Sequence, residues 1–423
     1  MPAADSISIF AEGTFEDQIK ELVDYLAQGH SDEERATLLQ QFQDALTVQE
    51  GRKPLQEDAE RTKSVLTLVL AEVKGLGEGS EKEIEGFFNL LFAHLLTSFP
   101  ADAPETKEHV LKLLQIIASS DARPTTRLRM YVLSNLFNAL PRRSGLRLPV
   151  NEALIRIAAS SDELEQLSLT LPEVEKWLSE WDVSQEQKTT YLKTLVDTFA
   201  YEPATSYQYQ LAYVKSLPAA SAHDAAVDVI ASALRLPLVF DFDALFRIDA
   251  IVAAKDNDIY TLLQIFLNDG LTEYNAWVSS HGDILTKHNL DGSQLERKIR
   301  LLSLTTLAFQ NIDRDLPYSS IAEVLQVEPS HVERWVIDVL RTGLVVGKLS
   351  QTSQTFHIVR ASARAFEREQ WQALEKRLVA WKSGLASVRE VIASAQKKNV
   401  ETAPSAAANG VESSTQQTQA TAA

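Results

Sequence analysis

The chain has 423 residues and no cysteine, which excludes disulfide stapling, thiol catalysis and cysteine-ligated zinc, and fits a reducing compartment. Apolar residues make up 45% and charged residues 23%, enough for a sizeable core, yet no run reaches the roughly 18 apolar residues of a membrane span. The formal net charge of −17 argues against broad contact with nucleic-acid phosphates, which needs clustered Lys and Arg.

The opening Met1-Pro2-Ala3-Ala4-Asp5 carries neither a basic region nor a long apolar run, so a secretory leader is not expected and the default address is cytoplasmic or nuclear. Amphipathic helices then follow one another. Residues 15–27 set Phe15, Ile19, Leu22 and Leu26 on one stripe, with Thr14 as N-cap and Asp17 three residues on. A second segment runs from Asp58 to Lys74 and stops at Gly75. Ile84, Phe87, Phe88, Leu91 and Leu95 repeat at helical spacing before Pro100. Val110, Leu113, Leu114 and Ile117 do the same, as do Leu128, Tyr131 and Leu136.

Further helices are expected at about 151–160, 173–182, 184–199, 205–216 and 220–235. No strict sequence period is present, so the expectation of stacked helical repeats rests on the succession of short antiparallel helices. Pro237 ends that succession within Leu236–Asp243, and helices resume over 244–251, 259–268 and 271–278.

Past the Asp291-Gly292 turn the texture changes. A long helix is predicted over 294–311, then a short one after Pro317 carrying Ile321, Val324 and Leu325. Pro329 opens the next, in which Val332, Trp335, Val336, Val339 and Leu340 share one face. The period then switches from 3.6 to 2. Val345–Gln351 and Thr355–Val359 are β-branched runs joined by Thr352-Ser353-Gln354, a hairpin. Three helices and a two-stranded wing make a winged helix, a variant of helix-turn-helix.

One long helix is expected over 362–397. Trp371, Leu374, Leu378, Trp381, Leu385, Val388 and Ile392 alternate spacings of three and four, an a/d heptad seam that a lone helix cannot bury. It must pack on another helix, within the chain or on a partner. From Asn399 the composition is Ala, Ser, Thr and Gln without aromatics, so 398–423 reads as a disordered tail.

Catalytic signals are scarce, and no enzyme is expected. Gly75-Leu76-Gly77-Glu78-Gly79 follows a helix rather than a strand and lacks the Gly-Lys-Ser/Thr of a P-loop, so it reads as a linker. His281 and His288 have no acidic partner that completes a metal site. The carboxylate pairs Asp241/Asp243 and Glu83/Glu85 fit ordinary polar faces. No cofactor or metal is expected. The helix that would enter a DNA groove balances Arg334 and Arg341 with Glu333 and Asp338, which favours protein over DNA as its contact. A hairpin edge can accept a partner's strand. Lys348, Arg360, Arg364 and Arg368 form a basic cluster beside the wing, open to either solvation or an RNA contact.

Helical repeats leading into a winged helix and a long terminal helix resemble the PCI domain shared by the proteasome lid, the COP9 signalosome and translation initiation factor 3. Residues 127–140, 176–188, 332–351 and 370–385 are similar to the M-subunit family of that initiation factor. One departure is visible. The PCI wing often reads Lys-Ile-Asp-Gln, and here it reads Lys348-Leu349-Ser350-Gln351, without the carboxylate.

The resemblance implies an all-α fold: a right-handed helical-repeat solenoid, a winged-helix subdomain (together the PCI domain) and a long C-terminal helix. The expected divisions are 1–200, 201–290, 291–361, 362–397 and 398–423. It also implies a non-catalytic subunit in the cytoplasm that assembles with other PCI and MPN subunits, and through them with the small ribosomal subunit. Neither a membrane nor DNA is expected among its partners. A place in the COP9 signalosome or proteasome lid is the alternative. Expected wing contacts are Val346, Lys348, Leu349, Phe356 and Ile358. Expected contacts of the terminal helix are Trp371, Leu374, Leu378, Trp381, Leu385, Val388 and Ile392.

Overall fold

Local signals that start and stop helices account for much of the architecture in the computed structural model, which describes residues 13–28, 30–46, 58–119, 126–218, 221–364 and 368–401. The first helices are α1 (Phe15–Ala27), α2 (Asp32–Leu46), α3 (Ala59–Glu72) and α4 (Glu81–Ser98). Thr14 and Ser80 cap α1 and α4 through reciprocal capping boxes. The hydroxyl of each accepts from the backbone N–H three residues on, and that residue's carboxylate accepts in return from the cap's own N–H. Tyr25 of α1 stacks on Phe87 of α4 at 4.5 Å between ring centroids, and its hydroxyl donates to the Leu76 carbonyl at 2.8 Å. The glycine-rich stretch is the path of the backbone around that tyrosine. Gly77 sits at φ +83°, and a Cβ there would strike the Tyr25 ring.

Next come α5 (Pro104–Ala118), α6 (Thr126–Ala139), α7 (Arg147–Ser160), α8 (Leu171–Glu180), α9 (Gln185–Thr198), α10 (Pro203–Ser216) and α11 (His223–Arg235). Proline stands in the first turn of α5, α8 and α10, where its missing N–H is no loss. Most helices pack on their successor or on the next but one: α4 on α6, α5 on α7, α7 on α9, α9 on α10, α10 on α11. One buried apolar cluster runs from Ile19 to Ala158, and a second joins α7 to α10 through Trp181, Tyr191 and Tyr209. This is the stacking of helical repeats, in which each layer buries the face of the one before.

After α11 the expected single helix over 244–251 is broken into α12 (Asp243–Phe246) and α13 (Asp249–Ala253). Then follow α14 (Asp258–Asn268), α15 (Leu271–Lys287), which extends past the expected 278 through a non-helical His281, and α16 (Gly292–Gln310). α2 was not anticipated, because its polar sequence leaves only Leu38, Phe42 and Leu46 buried.

Contacts divide the chain into two compact units. One holds the residues up to Val239 together with Ala244–Ile265 and Thr272–Lys298; the other holds Phe240–Asp243, Phe266–Leu271 and the chain from Ile299. The second unit contains β1 (Asp315–Pro317), α17 (Tyr318–Leu325), α18 (Val332–Arg341), β2 (Val345–Ser350), β3 (Thr355–Ala361) and α19 (Arg368–Glu401). Its core gathers Leu304, Ile321, Leu325, Val332, Val336, Val339, Phe356 and Ile358.

Two expectations are corrected here. The wing has three strands in the order β1-β3-β2, because Asp315-Leu316-Pro317 pairs antiparallel with His357-Phe356-Thr355 before α17 begins. The terminal helix does not reach back to 362, since Ser362 still donates its N–H to the Leu344 carbonyl at 2.8 Å; its described part runs from Arg368 to Glu401. The rest of the predicted tail, 402–423, lies outside the described residues.

Candidate functional site

The wing is built on a helix whose apolar positions leave no freedom of orientation. Val332, Val336 and Val339 are buried, which turns Arg334, Ile337 and Arg341 of α18 outward. Trp335 lies under the Arg300 guanidinium, 5.5 Å from its ring centroid. Glu333 is engaged within the subdomain: it accepts from the Tyr318 hydroxyl at 3.4 Å and from Gln351 Nε2 at 3.2 Å. The second bond ties the tip of the hairpin to α18, and the first ties α17 to it.

Strand β3 is central and pairs on both sides, so Phe356 and Ile358 point into the core with no exposed surface at all. They therefore leave the set of residues a partner can reach. Leu349 is half-buried against the same core. Val346 and Lys348 are exposed on β2, an edge strand with no second neighbour in the sheet among the described residues. Register slips between Val346 and Gly347, leaving Val359 of β3 as an extra, exposed residue that the sequence reading missed. Gly347 permits this: a Cβ there would collide with the His357 carbonyl oxygen and the Phe356 ring. At the tip, Ser350 takes a hydrogen bond from Ser353 Oγ at 2.6 Å.

The basic cluster is not assembled as the sequence suggested. Arg364 donates through Nε to the Phe266 carbonyl and through a terminal nitrogen to the Asp269 carbonyl, each at 2.7 Å. Burial pushes its guanidinium down to about 10, with Asp269 acting in the opposite direction. It closes the C-terminal end of α14 inside its own unit. Lys348 and Arg360 stay exposed, and the Arg368 side chain lies outside the described residues.

On α19 the geometry matches the sequence pattern and adds what the pattern left open. Trp371 is 60% exposed, Leu378 54% and Trp381 67%, and Leu374, Leu385, Val388 and Ile392 are exposed with them. Val391, next to the a/d positions, is exposed too and widens the stripe. Seven large apolar side chains at helical spacing on one exposed face form a surface that water solvates poorly. Covering each one contributes about 1.5–3 kcal/mol.

The remaining candidate chemistry is dispersed. His281 stacks on Trp277 at 5.2 Å, and His288 is a half-buried residue whose pKa burial lowers. No group of three or more His, Cys, Asp or Glu side chains is placed to hold a metal ion among the described residues. No helix there is long and apolar enough to cross a membrane.

Comparison with known proteins places both elements in one family. A model described as PCI domain matches residues 278–360, and one described as eIF3 subunit M, C-terminal helix, matches 364–392, which spans the whole seam. Among similar proteins, eukaryotic translation initiation factor 3 subunit M of Phaeosphaeria nodorum is 32% identical over 403 residues, covering 91% of this chain and 88% of the relative. The protein of that name in Aspergillus oryzae is 31% identical over 432 residues, covering 96% and 91%. The one in Coccidioides immitis is 30% identical over 436, covering 97% and 93%. With matches of this length joined to a winged helix and a bare heptad helix, the chain belongs to the eukaryotic translation initiation factor 3 subunit M family.

Proposed function

We propose that this chain is a non-catalytic scaffold subunit of translation initiation factor 3 that works in the cytoplasm. It joins other PCI and MPN subunits through the β2 edge at Val346 and Lys348, and through the α19 seam from Trp371 to Ile392. Through that assembly it supports formation of the 43S pre-initiation complex and mRNA recruitment on the small ribosomal subunit. One observation carries the reading: the apolar seam of α19 stands exposed along its length, in the segment the subunit M helix model matches.

The test is the double substitution Leu378→Asp and Leu385→Asp. Both side chains are exposed in the free chain, so its thermal midpoint should hold while its partners no longer co-purify. Undiminished co-purification at physiological salt would remove the seam from the assembly. The identity of the co-purifying proteins also separates the initiation factor from the COP9 signalosome or proteasome lid.

A further inference from the structure

Four of the described serines precede a glutamine: Ser184, Ser293, Ser350 and Ser353. Ser-Gln is a recognition unit for protein kinases that read the side-chain amide of the residue after the acceptor. Such an enzyme needs a hydroxyl that reaches solvent and an amide still able to bond to the kinase. An amide already bonded within the fold must first give up its partner.

Three of the four pairs are committed elsewhere. Ser184 caps α9, its Oγ accepting from the Gln187 N–H at 3.2 Å, and Gln185 Nε2 donates to the Ser216 carbonyl at 3.1 Å. Ser293 donates to Asp291 Oδ1 at 2.8 Å, and the Gln294 side chain bonds to the same carboxylate. Ser350 is half-buried, and Gln351 is held by Glu333. Ser353 differs on both counts. It stands exposed in the turn between β2 and β3, and the exposed amide of Gln354 bonds to no described residue.

The surroundings of Ser353 also suit the group that would be transferred. Its Oγ lies 2.6 Å from Ser350 Oγ and 2.8 Å from Thr355 Oγ1, two residues directly opposed across β2 and β3. Lys348, two residues before Ser350, is exposed on the same outward face of the sheet. A phosphoryl group here meets two hydroxyls and an ammonium. The carboxylates on neighbouring elements are both engaged, Glu333 with Gln351 and Asp315 with His357.

We propose that Ser353 is a phosphorylation site for a protein kinase that requires glutamine after its acceptor. Ser353 Oγ attacks the γ-phosphorus of ATP and forms the new O–P bond. The bridging bond to the β-phosphate breaks, ADP leaves, and the hydroxyl proton passes to a base of the kinase. The product sets close to two negative charges beside Lys348. Resting on the reading that the β2 edge at Val346 and Lys348 docks a neighbouring subunit, this charge engages Lys348 and weakens that docking.

The test incubates the full chain with magnesium ATP and a purified kinase of that specificity, and places the phosphate by peptide mass spectrometry. Ser353 should be modified at least about tenfold faster than Ser184, Ser293 or Ser350, and Gln354→Ala should slow it by a similar factor. No phosphate on Ser353, equal rates at the four serines, or an unslowed Gln354→Ala chain would overturn the site. In the assembled complex, the salt concentration that halves retention of the phosphorylated chain should fall about twofold. An unchanged salt midpoint would overturn the regulatory step and leave the site. Val346→Asp in the unmodified chain checks the docking reading separately: if its salt midpoint also holds, the β2 edge is not the contact, whatever the state of Ser353.

Discussion

Helices α4 and α19 carry the same kind of apolar stripe and meet opposite fates. In α4, Ile84, Phe87, Phe88, Leu91 and Leu95 are all buried, and α1, α3 and α6 pack against the helix. In α19, Trp371, Leu378, Trp381 and Leu385 keep more than half of their surface exposed. Periodicity thus states that a stripe needs cover and is silent on which chain supplies it. The difference follows from neighbours: α1, α3 and α6 pack on α4, whereas no described element packs to that extent on the 34-residue α19.

The largest expected effect tests the covered stripe. Phe88→Ala empties a fully buried site and should destabilise the chain by about 3–5 kcal/mol in denaturant titration. A loss under 1 kcal/mol would mean that the α4 core is looser than its burial indicates.

Next is a buried cation that closes a helix end within the first unit. Lys298 donates to the carbonyls of Ala233 and Leu236, at 2.7 Å each, and to that of Leu234 at 3.3 Å, at the end of α11. Lys298→Met should cost about 1–3 kcal/mol by leaving those oxygens without their donor. Burial pushes the ammonium from 10.5 down to about 7. Between these values the unfolded chain binds the extra proton, so this group makes stability rise with pH from about 7 toward 10.5. The contribution should vanish in the Met variant when the two pH profiles are compared.

For the wing, Gly347→Ala forces a Cβ onto β3 and should destabilise the sheet by about 1–3 kcal/mol, read as faster amide exchange along β2. Ser80→Ala removes the cap of α4 at about 1 kcal/mol in thermal unfolding. The smallest effect sharpens the contrast most. Leu378→Ala in the isolated chain should stay within about 0.5 kcal/mol of wild type. The same change in the assembled complex should weaken retention of the subunit, because only there is the side chain covered.

Much of the helical fold was legible in sequence. Thr14, the prolines opening α5, α8 and α10, and the spacing of Ile84 to Leu95 specify helices through interactions a few residues long. α2 escaped because its periodicity is diluted by polar residues. β1 escaped because three residues ending in Pro317 carry no strand period, and they become a strand only where β3 offers them an edge.

The candidate site divides along the same line. The seam of α19 was readable because a/d spacing is a local property of one helix. Tertiary structure alone decided that Phe356 and Ile358 face inward, that Val359 is pushed out by a bulge, and that Arg364 is spent on the carbonyls of Phe266 and Asp269. Strand order, register and long-range hydrogen bonds join residues up to 98 positions apart, as Arg364 is from Phe266. No local pattern encodes such pairings, because their energies exist only once the chain has brought the partners together.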